Sequence, residues 1–447
     1  MSSTDTAPGL IVMPAHAGWD EARLAWNLAV DQQPAAVARP RSAGEVAEAV
    51  AHARAEGLRV APQATGHAAA AMGPLEGTLL VKLEQMRKVD VDPERRIARV
   101  EGGALWGDVT AAAAEHGLAG LAGSSPDVGV AGYTLGGGMS WLARRYGFAA
   151  NSVTAVELVT APGELVRADA DRNRELFWAL RGGGGSFGVV TAIEFMLYPV
   201  SEVFAGSMVW PIERLSEVLT TWRQWVEDVP DEVTSLGRVL HLPPIPDIPE
   251  PLRGRSLAAV EVVCLLDAES AAELVAPLRA LGPEMDTTGV IPAPALQHLH
   301  MDPEHPVPGV GEGMVLDEFD AGAIDAIVRC VGPGSGTPIL SVEVRQLGGA
   351  LGRSAPGHGA IGTLDGFGVY GVGIAPMPEA AAAVGAGLAA LVEALEPWRG
   401  PRSYMNFCES RTDCDHLFGA DGHARLRAVK ASVDPDDVFR ANHPILS

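Results

Sequence analysis

Along the first two hundred residues, apolar positions come in short clusters punctuated by glycine and proline, a pattern that predicts alternating strands and helices. Trp19 and Trp26 fall in a short predicted helix, and residues 1 to about 36 are otherwise without pattern. Residues 35–39 read as a strand that Pro40 ends. Ser42 and Glu45 have the N-cap and N3 spacing of a capping box, opening a helix to about Ala55 that Gly57 terminates. Residues 58–62 form the next strand, completing a short βαβ unit that runs into the loop QATGHAAAAMG. Further strands are predicted at 78–82, 98–101 and 189–198, the last ending at Pro199. A hairpin is predicted from 155–160 and 165–168 about Pro162-Gly163, with helices within 103–117 and over 172–180.

The pattern changes near residue 200. Helices are expected over 212–226, 270–281, 320–331 and 378–395, the second opened by a Ser270/Glu273 capping box. Strands are expected at 256–265, 338–346 and 366–374, and a proline-rich loop, LPPIPDIPEP, at 242–251. These elements predict an α+β fold in which the second region is an antiparallel sheet covered by helices. From Ser403 the chain returns to loop and helix. The expected division is residues 1–200, 201–399 and a segment 400–447 that rejoins the first part.

Composition and charge narrow the picture. At 447 residues with 47% hydrophobic content, the chain is long enough for two domains. No apolar run is expected to span a membrane, and the short segment GLIVMPA lacks a basic leader, so no signal peptide is expected and the protein reads as cytoplasmic. Four cysteines make no disulfide framework in a chain of this length. With 33 basic against 56 acidic residues, the net charge of -23 disfavours nucleic acid and anionic lipid as partners.

The stretch Gly123–Gly147 holds seven glycines, which cost backbone entropy and so imply that something approaches the main chain closely. A second run, GGGGSFG at 182–188, contains a formal G-x-G-x-x-G. It follows a predicted helix and leads into a strand, the reverse of a nicotinamide-dinucleotide fingerprint. The cluster His298, His300, Asp302, Glu304 and His305 has no helical His-x-x-x-His spacing and lies among prolines, so no metal is expected there. Cys408 and Cys414 have no redox spacing. Arg144–Arg145 is expected to be a solvated face, and the alanine-rich helix to pack on the sheet.

Several ordered motifs carry a family resemblance: PRSAGEVAEAV, QATGH, PDVGVAGYTLGGGMSWLARRYG, ELFWALRGGGGSFGVVTAIEF, then YMNF and RLRAVKASVDPDDVFRANHPI in the tail. Together they resemble the FAD-linked oxidases of the vanillyl-alcohol oxidase superfamily, in the berberine-bridge-enzyme-like branch. The resemblance covers about residues 36–200 and 400–447. It implies a two-part, PCMH-type FAD-binding domain beside a substrate domain. Amides of Gln63, Ala64, Thr65, Gly66, His67 and Ala68 would cradle the FAD pyrophosphate. Gly129, Gly132, Gly136, Gly137 and Gly138 would admit the dinucleotide and the flavin, and Val189 and Val190 would pass the adenine.

His67 matches the histidine that bonds covalently to the flavin 8α carbon, although Thr65-Gly66 replaces the usual Gly-Gly before it. Ser125 stands where doubly linked members carry cysteine, so at most one link is expected. Val128 matches a position that governs access of dioxygen and leans toward an oxidase. The resemblance makes Tyr404 of the Y-x-N motif the first candidate base, Tyr370 the second, and Asn406 a partner of flavin or substrate. A tyrosine base requires its pKa to fall from about 10. The implied activity is oxidation of a C–OH or C–N bond of a small molecule, in the setting of secondary metabolism. Hydride passes to flavin N5 and dioxygen is reduced to hydrogen peroxide. The alternatives are a dehydrogenase using another acceptor and a flavin-binding protein without redox turnover.

Overall fold

The computed structural model describes residues 9–246 and 248–446; the first eight residues, position 247 within the proline-rich loop, and the last residue lie outside the described residues. Three sheets follow one another along the chain. In the first, Ala36–Ala38 and Arg59–Gln63 flank Thr78–Lys82 in parallel, with Ile11–Val12 added antiparallel at one edge. Helix Ala43–Ala55 makes the crossover, and it buries Val46, Ala49, Val50 and Ala53, the i, i+3, i+4, i+7 stripe of an amphipathic helix. Ser42 caps it, its Oγ accepting from the Glu45 N–H at 3.2 Å. The Glu45 carboxylate reaches back one residue further than expected, to the Arg41 N–H at 2.7 Å.

The second sheet is antiparallel, in the order Val89–Asp92, Ile97–Glu101, Val189–Met196, Val153–Val159, Leu165–Asp169. The third has eight strands and is also antiparallel. Its strands Glu202–Pro211, Val233–His241 and Gly309–Leu316 have no counterpart among the expected elements, nor does Val89–Asp92 in the second sheet. A strand covered on both faces loses the alternation that marks it in sequence. Val233–His241 is such a case, buried along eight of its nine residues with Arg238 inside.

Helices Leu215–Trp225, Ala321–Val331 and Pro378–Leu395 cover one face of this sheet around Trp222, Ile327 and Leu388. Against the expectation, Pro378–Trp398 reaches the length and hydropathy of a membrane span. Its Val384, Leu388, Leu391 and Leu395 are buried in the core, which accounts for the apolar stripe. The expected helix 270–281 is instead two: Asp267 caps Ala268–Leu274, and Ala276–Arg279 follows. Pro277 cannot donate the backbone hydrogen bond a continuous helix needs there. Trp26 lies beyond its predicted helix, which is Trp19–Arg23.

The tail returns to the first two sheets. Cys414–Val433 is helical on both sides of a break at Gly419 (φ 71°) and buries Leu417 and Leu426 in the second core, and Phe439 enters the first. Val60 and Arg440 exchange backbone hydrogen bonds with their neighbours across this junction (Val60 N to Val438 O and Arg440 N to Val60 O, both 2.8 Å). Lys430, fully buried, donates to Asp434 at 2.5 Å and to the Ser186 carbonyl at 3.0 Å. Arg144 is not on a solvated face: it is buried and donates to the carbonyls of Val233 and Leu347, pinning the glycine-rich stretch to the third sheet.

Candidate active site

A cleft of about 960 Å³ takes walls from all three sheets and the tail. Loop 63–68 forms one end. Gly66 is held at φ 92°, and a Cβ there would stand 2.6 Å from Gln63 Nε2 and 2.9 Å from Ala25 Cβ, so only glycine fits. The turn delivers His67 onto the Trp26 ring, stacked at 4.0 Å and 18°. His67 Nδ1 lies 2.7 Å from Thr65 Oγ1, while Nε2 is 3.6 Å from Asp127 Oδ1 and has no hydrogen-bond partner. Asp127 also accepts from the Ser125 hydroxyl at 2.8 Å and from the Trp26 indole. Burial would raise the Asp127 pKa, but His67, Ser125 and Trp26 together hold it below the usual carboxylate range.

Ser125, Val128, Gly129, Gly132 and Gly136 of the glycine-rich stretch line the cleft, as does Val190. Gly136 is required for close approach, since a Cβ on it would fall 1.8 Å from Asn406 Oδ1. Asn406 Nδ2 donates to the Tyr133 carbonyl at 3.0 Å and to the Tyr404 hydroxyl at 3.2 Å. Gly137, Gly138 and Val189 do not line the cleft. The two glycines turn the chain against Ile361 and Tyr133, and Val189 points into the first core, opposite Val190 as strand alternation demands.

Tyr404 lines the cleft but is a poor base, because burial pushes its hydroxyl well above the ordinary tyrosine range. Tyr370 is also raised by burial and by Glu409, to which it donates a hydrogen bond of 2.9 Å. Glu409 is the group poised to take a proton. Burial lifts its pKa to about 7, with the Tyr370 hydrogen bond opposing and Glu312 adding to the rise. Sequence reasoning missed Glu409: it sits three residues past Asn406, and only the fold brings it to Tyr370.

A paired charge cluster was missed as well. On the eight-stranded sheet, Arg238 donates to Glu261 at 3.0 Å, and Arg345 to Glu343 at 3.1 Å. His300 bridges them, with Nδ1 2.6 Å from Glu261 and Nε2 3.2 Å from Glu343. Burial and Arg238 would lower the His300 pKa, but Glu261 and Asp302 outweigh them and raise it to about 9. Burial would raise Glu343, but Arg345 and His300 bring it down to about 2. Arg345 keeps a buried Nε without a partner and lies over Trp141, 5.0 Å from the ring. Of the other histidines in the 298–305 stretch, His298 pairs with Glu304 at 2.6 Å. Among the described residues no three His, Cys, Asp or Glu side chains converge as metal ligands.

Gly184, Ser186 and Gly188 also have the spacing of a serine nucleophile elbow, but the Ser186 hydroxyl is buried and accepts the Ile445 N–H at 3.0 Å. It is a structural contact.

The cleft is large enough for a dinucleotide cofactor: its mostly apolar walls suit flat ring systems, and a few polar groups serve as anchors. At its wall Gln63 Nε2, His67 Nε2 and Tyr133 Oη are buried without protein partners. Comparison with known proteins agrees. Residues 34–169 match the family described as FAD binding domain, and residues 403–446 the one described as berberine and berberine like. The chain is 30% identical over 316 residues to the uncharacterized FAD-linked oxidoreductase YvdP of Bacillus subtilis, covering 69% of this chain and 67% of that one. It is 33% identical over 228 residues to (R)-6-hydroxynicotine oxidase of Paenarthrobacter nicotinovorans, where the match spans 50% of either chain. The solved structure of 6-hydroxy-D-nicotine oxidase from Arthrobacter nicotinovorans superposes with a TM-score of 0.83 at 26% identity, over 98% of both chains.

Proposed function

The chain belongs to the FAD-linked oxidoreductases of the berberine-bridge-enzyme-like branch, and from that premise we propose that it oxidises a C–OH or C–N bond of a small organic molecule. FAD, when bound, supplies the hydride acceptor at its N5, and dioxygen takes the electrons onward to hydrogen peroxide. Residues 1–200 and 400–447 hold the cofactor, with loop 63–68 and the glycines 129, 132 and 136 against it. Residues 201–399 hold the substrate.

The observation that carries the chemistry is the Tyr370–Glu409 pair at 2.9 Å, with a carboxyl that titrates near neutrality. Glu409 accepts the proton that leaves the substrate O–H or N–H, and Tyr370 orients the carboxylate and relays that proton. A general base is most effective when its pKa lies near the working pH, a condition Glu409 meets and Tyr404 does not. Asn406 and Tyr404 form the wall that positions the ring. His67 is the covalent attachment point. Trp26 fixes its plane, Thr65 engages Nδ1, and Asp127 places a negative charge beside Nε2. Ser125 offers no thiolate, so a second link is not formed. Val128 at the cleft wall supports dioxygen as the acceptor.

The test is acid precipitation of the purified protein. Yellow colour stays with the pellet, and His67→Ala moves it to the supernatant. Turnover then releases one peroxide per substrate oxidised. A colourless protein would sink the reading outright, and turnover without peroxide would replace dioxygen with another acceptor.

A further inference from the structure

The cleft-facing side of the eight-stranded sheet changes character over a short distance. Arg345 stands innermost, within electrostatic reach of Tyr404 and Tyr133. Two residues along, Arg238, Glu343 and Tyr370 lie side by side on three neighbouring strands. The next row on the same face, two residues further, is Leu240, Ser341 and Val372. Ile374 ends the last strand beyond it. All of these line the cleft.

Exposure climbs along the way, from 4% at Glu343 to 36% at Ile374. The four steps from Tyr370 to Ile374 cover about 14 Å at roughly 3.4 Å each. At the end of Val233–His241 the chain enters the proline-rich loop, and Leu242, Ile245 and Ile248 bring apolar side chains to the same mouth. The 298–305 stretch also lines the cleft, with the His298–Glu304 pair beside Met301 and Pro303. Among the described residues, no aromatic side chain lines these outer rows: Trp26 and Tyr133 belong to the cofactor end, and Tyr370, Tyr404 and Phe407 to the inner row.

We infer that the substrate is amphipathic: an amine or alcohol whose reacting end meets the charged row, with an aliphatic tail lying over Val372, Ile374 and the proline-rich loop. This inference rests on the reading of the protein as an FAD-linked oxidoreductase. A free sugar is disfavoured, because Ser341 is the one polar side chain among Leu240, Val372 and Ile374, and most of the sugar's hydroxyls would lose water there without gaining partners. An aliphatic tail suits the same wall, since each buried methylene strengthens binding about threefold to fourfold.

The holoenzyme is titrated anaerobically with n-alkylamines and n-alkanols of six to twelve carbons, and with cellobiose, binding being read from the shift in flavin absorbance. Kd should fall about threefold to fourfold per methylene in the alkyl series, with cellobiose weaker than every alkyl member. Ile374→Asp, and separately Ile245→Asp at the exposed mouth, should flatten that slope while FAD content stays unchanged. A flat series in the unaltered protein, or tighter binding of cellobiose, overturns the inference. Bleaching of the flavin is the separate readout. Bleaching by cellobiose with a flat alkyl series would leave an oxidoreductase but remove the amphipathic substrate. A steep series without bleaching by any compound would keep the amphipathic ligand and remove the redox reading.

Discussion

Tyr370 donates its hydroxyl hydrogen to Glu409 across 2.9 Å, tying the eight-stranded sheet to the loop that follows Asn406. Glu409 must be ionised to accept a proton, so kcat/KM should rise with pH through about 7 and level off above it. Glu409→Gln should lower turnover by about 10²- to 10⁴-fold. Tyr370→Phe removes the hydrogen bond that favours the ionised form, so the rising limb should move to higher pH. A limb unmoved in Tyr370→Phe would separate the two residues.

The same carboxyl carries a stability signature of opposite sense. Its folded pKa is raised above the unfolded value, so its stabilising contribution is present below about 4.5 and lost as pH rises through about 7. Glu409→Gln should therefore melt a few degrees above the unaltered protein at pH 8, and the gain should vanish toward pH 4. Melting curves at the two pH values check this.

His300 should hold the charge cluster together. Its folded pKa of about 9 exceeds the unfolded 6.5, so the stability it contributes is full below about 6.5 and disappears as pH rises through about 9. His300→Gln leaves Glu261 and Glu343 short of a buried positive partner and should cost about 3–5 kcal/mol. Denaturant unfolding at pH 7 measures the loss. Between pH 7 and 10 the unaltered protein should show a decline that the variant lacks.

Gly136→Ala should fold but hold little FAD. The added methyl would displace Asn406, whose Oδ1 lies 1.8 Å from the Cβ position, and with it the wall shared by Tyr133 and Tyr404. The ratio of flavin to protein absorbance is the readout, and full flavin content would remove Asn406 from the cofactor wall.

Lys430→Met should destabilise the protein by about 3–5 kcal/mol, because it strands Asp434 without a counter-charge in a fully buried position. It also releases the Ser186 carbonyl beside the glycine run. Unfolding midpoints at fixed pH test it, and a neutral result would mean that the Asp434 contacts to Val438 and Phe439 N–H suffice.

Sequence alone determined the features that depend on neighbours along the chain. Ser42 caps its helix, Pro378–Leu395 starts and stops as read, and the loop that places His67 was recognisable from Thr65, Gly66 and the motifs around it. Local backbone preference and short-range hydrogen bonds act within a few residues, so their traces survive in the order of residues. The strands Glu202–Pro211 and Gly309–Leu316 were lost because burial on both faces, or glycine in place of side chains, erases the period that identifies a strand. The burial of Arg144 was misread for a related reason: its acceptors, Val233 and Leu347, lie 89 and 203 residues away. The chemistry of the cleft was decided by the tertiary structure. Glu409 titrates near 7 only because folding buries it, against the opposing Tyr370 hydrogen bond, and His300 rises to about 9 because folding brings Glu261 to its ring, with Asp302 adding to the rise. A pKa reports the field and solvent at one point in space, and that point exists only once distant segments have met.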